Sequence, residues 1–244
     1  SRETIRQVSS RHANCKRRVT DRQRAFHDPR RRTGEGTADM GDDARILILG
    51  IGNLLWADEG FGVRAVEALA EGRAFPERVT LMDGGTQGFN LLGPVEEADA
   101  LLLFDAVDFG LPPATLKVLR DAEVPAFMGA KKMSLHQTGF QDVLAAAALK
   151  DRAPERMILI GCQPVELEDY GGGLRPDVAA RIPEAVAIAL AELRERFGVA
   201  PEAREGGHDL SDPALGRGAY EGGRPTEAEA YRGGDIRFLS ARKD

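Results

Sequence analysis

The stretch RILILGIGNLLWADEGFGV, residues 45–63, decides the fold of this chain. Arg45–Gly50 is predicted to be a buried β-strand, because a short run of branched apolar residues ends at a glycine. Val63, Val66 and Leu69 then recur at helical spacing, which predicts a helix over Phe61–Ala70 that stops at Gly72. A buried strand followed at once by a helix is typical of a parallel α/β sheet.

The alternation of strand and helix continues along the chain. Four further apolar runs are predicted to be strands: Val79–Asp83, Leu101–Asp105, Thr115–Leu119 and Met157–Gly161. Pro112 and Pro113 precede the third of these runs, which suits a strand at the edge of the sheet. Later helices are indicated by Phe140, Val143, Leu144 and Ala147, and by a periodic run from Ile182 to Phe197 that ends at Gly198. The sequence therefore predicts one α/β domain with five strands.

Charge and composition separate this domain from two terminal extensions. Residues 1–39 hold 11 of the 33 basic residues but only 5 of the 39 acidic ones, and few large apolar side chains, so we expect a disordered basic extension. Met40 stands at the change in composition and is a candidate for the natural start. Residues 40–200 form the predicted domain. Residues 201–244 are rich in glycine and lack periodicity, which predicts a weakly structured extension.

Whole-chain composition excludes several classes of function. The formal net charge is −6, and residues 40–244 alone carry −12, which argues against a nucleic-acid partner. No apolar run reaches the roughly 18 residues that would indicate a membrane span. Cys15 and Cys162 lie far apart and no secretory signal is evident, so a cytoplasmic protein without a disulfide framework is expected.

The glycines after the first strand partly match a dinucleotide-binding fingerprint. Gly50 and Gly52 fit, but Leu55 occupies the position of the third glycine. Asp58 and Glu59 open the following helix, where they would repel a pyrophosphate. A tight strand-to-helix turn is therefore the better interpretation.

Acidic residues follow the first three predicted strands. Glu59 comes after the first, Asp83 ends the second and Asp105 ends the third, while His136 enters a later helix. Because the carboxyl ends of parallel strands share one edge of a sheet, these side chains could converge on a crevice there. One imidazole and two carboxylates suit a divalent metal. Each residue alone is better explained as a structural one: Glu59 as a helix-terminal acid, Asp83 or Asp105 as a strand-end cap, and His136 as an ordinary polar residue.

Cys162 and Trp56 each allow a chemical and a structural interpretation. Cys162 could act as a nucleophile with His136 as its base, but a cysteine at the end of a buried strand is more often a small core residue. Trp56 is interpreted as a rim or packing residue, with contact to a partner left open.

Four separated motifs resemble one known family. Residues 46–63, Asp83-Gly84-Gly85-Thr86, Asp105-Ala106 and Ser134-Leu135-His136-Gln137 occur in the order found in the hydrogenase maturation proteases. These endopeptidases trim the C-terminus of the large subunit of nickel–iron hydrogenases. The resemblance extends from Ala44 to Val199, nearly the whole predicted domain.

The resemblance implies a fold, a substrate and a metal site. It implies a three-layer α/β fold, in which a five-stranded, mainly parallel, twisted sheet lies between helices. One edge strand of this sheet can be antiparallel. Glu59, Asp105 and His136 match the three family positions that bind a metal, which would be the nickel of the substrate or another divalent metal at the same site. The substrate would be a nickel-loaded large-subunit precursor in the cytoplasm, with no nucleic acid or membrane involved.

The resemblance leaves the attacking group open. A metal-polarised water is one candidate. A carboxylate, Asp58 or Asp83, acting as a base is the other, in keeping with an aspartic-type endopeptidase. The competing functions are a nickel-dependent checkpoint or chaperone that binds the precursor without cutting it, and a nucleotide-binding α/β protein.

Overall fold

The first strand, β1, forms where the sequence is most uniformly apolar, and all six of its residues, Ile46–Ile51, are buried. The structure is a computed structural model, and it describes residues 41, 43–130, 135–167, 173–205 and 210. For residues 129, 130 and 135–138 only the backbone is described. The extension predicted over residues 1–39 lies outside the described residues, as does most of residues 201–244.

Five strands form the main sheet, and two short segments pair separately. In chain order the strands are β1, β2 (Arg73–Ala74), β3 (Val79–Gly85), β4 (Ala100–Ala106), β5 (Leu116–Arg120), β6 (Arg156–Cys162) and β7 (Glu202–Ala203). The main sheet has the order β3-β1-β4-β6-β5. Its first four strands are parallel, and β5 pairs antiparallel with β6 at the edge. The predicted five-stranded, mainly parallel sheet is confirmed.

Within the described residues, six helices and two 3-10 turns connect the strands. The helices are α1 (Phe61–Ala70), α2 (Leu92–Glu97), α3 (Glu123–Ala130), α4 (Leu135–Leu149), α5 (Pro176–Ala179) and α6 (Ile182–Phe197). The 3-10 turns, Ala57–Gly60 and Gly88–Leu91, precede α1 and α2. Gly198 ends α6 at φ 61°, a left-handed conformation that glycine adopts without a steric penalty.

The sheet separates two apolar cores, which makes the three layers. Alternate residues of β1 and β4 face opposite sides: Ile48 and Phe104 pack with α1 and α6 in one core. Leu49 and Leu103 pack with α4 in the other. We call these the α1 face and the α4 face. A side chain at the end of a strand therefore lies near α1 or near α4, depending on the face to which it points.

Near the C-terminus, β7 pairs antiparallel with β2, joining Arg73 to Ala203 and Ala74 to Glu202. The start of the region predicted to be weakly structured therefore contacts the segment that follows α1. No helix within the described parts of the chain has the length and apolar character needed to cross a membrane.

Candidate active site

The strand order places a crevice between the carboxyl ends of β1 and β4. The chain leaves β1 through α1 toward β3 on one side, whereas β4 and β6 lie on the other side of β1. Such a point of divergence is where open α/β sheets bind ligands. Glu59 follows β1 and Asp105 belongs to β4, so the two residues flank the crevice.

Glycines allow the turn that carries Glu59 to lie close to the ends of these strands. Gly52 has φ 141°, and a Cβ built on it would lie 1.8 Å from the carbonyl oxygen of Glu59. A Cβ on Gly62 would lie 2.2 Å from the carbonyl oxygen of Ile51 and 2.3 Å from that of Phe104. The space beside these glycines is filled by the protein's own backbone. The glycine motif therefore serves a tight strand-to-helix turn, which disfavours the nucleotide-binding interpretation.

Asp105 is a buried carboxylate at the end of β4, with only 2% of its surface exposed. Its neighbours Phe104 and Ala106 belong to the core of the α1 face, so alternation directs Asp105 toward the α4 face. Its Oδ1 atom is shielded from solvent. Helix α4, which begins with Leu135 and His136, covers this face.

Within the fold, His136 lies in the first turn of α4, and its side chain lies outside the described part of the structure. The beginning of α4 lies close to Gly88: a Cβ built on Gly139, in the second turn of the helix, would lie 3.6 Å from the Cα of Gly88. Gly88 lies in the loop after β3, at the same edge of the sheet as Glu59 and Asp105. The fold thus brings the helix of His136 to the crevice.

Asp83 lies at the end of β3 beside the crevice. It pairs with Gly50 of β1, which in turn pairs with Phe104 of β4, so the three residues form one row across the sheet. Val79 and Leu81 of the same strand belong to the core of the α1 face, and alternation directs Asp83 to that face. Asp83 and Asp105 therefore approach the crevice edge from opposite sides of the sheet.

The donor types suit a divalent metal, although the described side chains alone do not complete a site. Two carboxylates and an imidazole are ordinary ligands for such an ion. No three His, Cys, Asp or Glu side chains among those described converge closely enough to hold one. A three-ligand site built on Glu59 and Asp105 would therefore need a third ligand from outside the described side chains, and His136 is the candidate that the sequence offers.

Asp58 has contacts that fit a structural role. Its carboxylate is fully buried, and Oδ2 accepts hydrogen bonds from the backbone N–H groups of Val165 at 2.8 Å and Glu166 at 2.9 Å. Oδ1 accepts one from the backbone N–H of Arg175 at 2.7 Å. The carboxylate thereby fastens the turn before α1 to the chain on both sides of residues 167–174. The role of Asp58 as a catalytic base stays a prediction, and these hydrogen bonds disfavour that role.

Gln163 is a buried residue that the sequence interpretation missed. Its Oε1 accepts hydrogen bonds from the backbone N–H groups of Phe109 at 2.8 Å and Leu111 at 3.1 Å. Its Nε2 donates to Oδ1 of Asp108 at 3.1 Å. The loop after β4 is therefore held by the loop after β6. The only sequence signal was a polar residue directly after a buried strand.

Cys162 is a core residue, as its position at a strand end suggested. It is fully buried in the core of the α1 face, whereas α4 with His136 lies on the other side of the sheet. Burial raises the pKa of the Cys162 thiol to about 12, and the charge of Asp58 adds to this effect. The interpretation as a nucleophile paired with His136 is therefore excluded by this placement. Trp56, the other side chain interpreted in two ways, is half-buried in the same turn region as Glu59.

Proteins of known sequence and structure resemble this chain over most of its length. The family model for HycI, hydrogenase maturation protease, matches residues 63–192. The hydrogenase expression/formation protein HupD of Rhodobacter capsulatus is 64% identical over 198 residues, which cover 80% of this chain and 93% of that protein. The hydrogenase 2 maturation protease of Escherichia coli K12 is 45% identical over 166 residues, 68% of this chain and 99% of that protein.

Among solved structures, the hydrogenase maturating endopeptidase HybD from E. coli superposes with a TM-score of 0.62 and 43% identity. The match covers 66% of this chain and 98% of that structure.

A doubly wound sheet with acidic side chains at its point of divergence defines an α/β protein with one ligand crevice. The family model covers more than half of the chain, and the similar proteins are matched over nearly their full lengths. The chain belongs to the hydrogenase maturation protease family and is an endopeptidase. The resemblance drawn from the sequence motifs is confirmed.

Proposed function

We propose that this endopeptidase removes the C-terminal peptide of a nickel-loaded hydrogenase large-subunit precursor, in the cytoplasm. In this proposal Glu59, Asp105 and His136 contact the nickel carried by the substrate, so that recognition of the metal and cleavage share one site. In this proposal the ion is part of the substrate and is not a resident cofactor of the enzyme. The alternative form of this proposal is that another divalent metal binds at the same three residues.

The observation that carries the proposal is the placement of the acids around the crevice. Glu59 and Asp105 flank the point where the chain diverges from β1, and Asp105 is directed toward the face covered by the helix of His136. Glu59 is half-buried and Asp105 is almost fully buried. Two carboxylates held this way favour a cationic ligand, because burial strengthens electrostatic attraction.

For the chemical step we propose Asp83 as the base in preference to Asp58. Asp83 is half-buried near the end of β3, in a row with Gly50 of β1 and Phe104 of β4, whereas Asp58 accepts three backbone hydrogen bonds. A base must reach a water or the scissile amide, and the Asp58 carboxylate is fully buried. Nickel in the substrate could also polarise the scissile carbonyl or a water, which would reduce the demand on Asp83.

Cleavage of loaded and nickel-free precursor, followed by mass spectrometry, tests the proposal. The wild type should shorten only the loaded precursor. Glu59→Gln, Asp105→Asn and His136→Gln should abolish processing while the fold survives, because each removes a ligand without opening a cavity. The melting temperatures of the two carboxylate-to-amide variants should stay level or rise slightly, since an amide relieves repulsion between neighbouring acids.

Asp142→Asn is the matched control, because Asp142 is an exposed acid on the helix that carries His136. Normal processing by the Asp105 or His136 variant would refute the site assignment. Binding of loaded precursor without shortening it would instead support the non-cleaving checkpoint, which membership of an endopeptidase family disfavours.

A further inference from the structure

Five large apolar side chains are exposed among the residues whose surfaces the structure describes. They are Leu55, Phe89, Leu111, Leu149 and Val165. Exposed apolar residues scattered singly over a surface are ordinary and need no function. The positions of these five are not scattered, and that distribution is informative.

Four of the five lie at the crevice edge of the sheet, one in the loop after each parallel strand. Leu55 follows β1, Phe89 follows β3, Leu111 follows β4 and Val165 follows β6. We call these four residues the apolar rim. Leu149 is the exception: it ends α4 and precedes β6, which places it at the opposite edge.

At three of the four rim positions, the backbone N–H donates a hydrogen bond to a polar side chain, which holds the backbone in place. The N–H of Leu55 donates to Asn53 Oδ1 at 3.0 Å, and that of Leu111 donates to Gln163 Oε1 at 3.1 Å. The N–H of Val165 donates to the buried Asp58 carboxylate at 2.8 Å. The fourth, Phe89, belongs to the 3-10 turn Gly88–Leu91. The rim side chains are thus presented outward from a fixed backbone, which lowers the entropy lost on binding.

We propose that the apolar rim is the docking surface for apolar side chains of the hydrogenase large-subunit precursor that flank the bond to be cut. This inference rests on the proposed function, because it names how the same substrate is held. Two residues of the rim lie in the loops that carry the proposed metal-reading acids: Leu55 shares a loop with Glu59, and Leu111 lies in the loop that follows Asp105.

The chemistry of the two parts of the surface explains why both are needed. The buried acids at the centre attract a cation, and that attraction alone does not require the cation to be part of a protein. Apolar contacts around the centre bind only a ligand that extends beyond the ion, which is a protein surface. The combination therefore favours loaded precursor over free ion.

Serine substitutions at the rim test the inference, because they remove the apolar side chains and leave the backbone hydrogen bonds in place. The double variant Leu111→Ser/Val165→Ser should raise the KM and the Kd for loaded precursor by about tenfold or more, since two apolar contacts are lost. Its kcat and melting temperature should stay at the wild-type values. Leu149→Ser is the matched control and should leave all four quantities unchanged.

Two readouts separate failure of this inference from failure of the proposed function. Binding is measured by titrating loaded precursor into the full-length protein, and cleavage is measured on the same samples. Unchanged KM and Kd in a variant with all four rim residues replaced by serine would overturn the inference while the wild type still cleaves. If the wild type binds but does not cleave, the proposed function fails, and a weakened Kd of the variants still supports the rim. A wild type that neither binds nor cleaves refutes both.

Discussion

At the scale of single residues, Asp58 and Glu59 show how neighbouring acids acquire different roles. Glu59 is half-buried beside the crevice, whereas the Asp58 carboxylate is buried under backbone N–H groups that come 107 residues or more later in the chain. A carboxylate that accepts three backbone hydrogen bonds is a strong structural link. The same link sets the position of Val165, a member of the apolar rim.

Replacing Asp58 by Asn should destabilise the protein by about 1–3 kcal/mol, because an amide presents N–H donors to backbone N–H groups that need an acceptor. Urea unfolding of the variant beside Asp142→Asn measures the difference. A fully stable Asp58→Asn protein that no longer cleaves would instead identify Asp58 as a catalytic base.

The buried Cys162 thiol makes stability depend on alkaline pH. Its pKa is about 12 in the folded protein and lower in the unfolded chain, so the unfolded state alone loses the proton as pH rises above about 9. Stability from this group is therefore fully present below pH 9 and is lost toward pH 12. The wild type should lose more unfolding free energy between pH 8 and pH 10 than Cys162→Ala. An equal loss in both proteins would contradict this, whereas normal cleavage by Cys162→Ala is expected.

Much of the candidate site could be predicted because its residues follow recognisable strands. Glu59 and Asp105 lie where strand ends were expected to meet, and Asp83 lies at the adjacent strand end. The separate roles of Asp58 and Gln163 could not be predicted. Their partners are backbone groups brought near only by the complete fold.

At the scale of elements, α1 lies in close contact with the sheet beside the crevice. Replacing Gly62 by Ala should destabilise the protein by about 3 kcal/mol, the upper range for overpacking, because the new methyl group meets two strand carbonyl oxygens. Gly93 of α2 has nothing within 4 Å of a built Cβ, so Gly93→Ala should be neutral or should stabilise by up to about 1 kcal/mol. Thermal and urea unfolding compare the two variants. Equal stabilities would show that the close approach at Gly62 is not needed.

Helices long enough to show an apolar period were predicted from the sequence more accurately than short elements were. Helix α1 spans Phe61–Ala70, as its apolar spacing predicted, and α6 ends before Gly198. Helix α2 was not predicted, because its six residues include Gly93 and Pro94 and are too few to show a helical period. The antiparallel direction of β5 depends on its pairing with β6, which begins 36 residues after β5 ends, so no local signal in the sequence predicts it.

At the scale of the whole molecule, the described residues from position 41 onward form a sheet with an apolar core on each face. Residues 1–39 hold few large apolar side chains, so we expect them to add little to the stability of this domain. A protein that starts at Met40 should unfold at the same temperature and cleave loaded precursor at the same rate as the full chain. Calorimetry and the cleavage assay measure both quantities. Slower cleavage with an unchanged melting temperature would assign the basic segment a part in binding the precursor.

The antiparallel edge strand also bears on how the protein behaves at high concentration. Among the described strands, none pairs with the outer side of β5, and such an edge is a template for strands of other molecules. Lys117 and Arg120 are exposed on this strand, and Arg120 is fastened to the buried Glu192 of α6 by its guanidinium. Any strand that added there would have to strip water from these two cations. The reversed strand therefore closes the sheet with a charged border that resists aggregation.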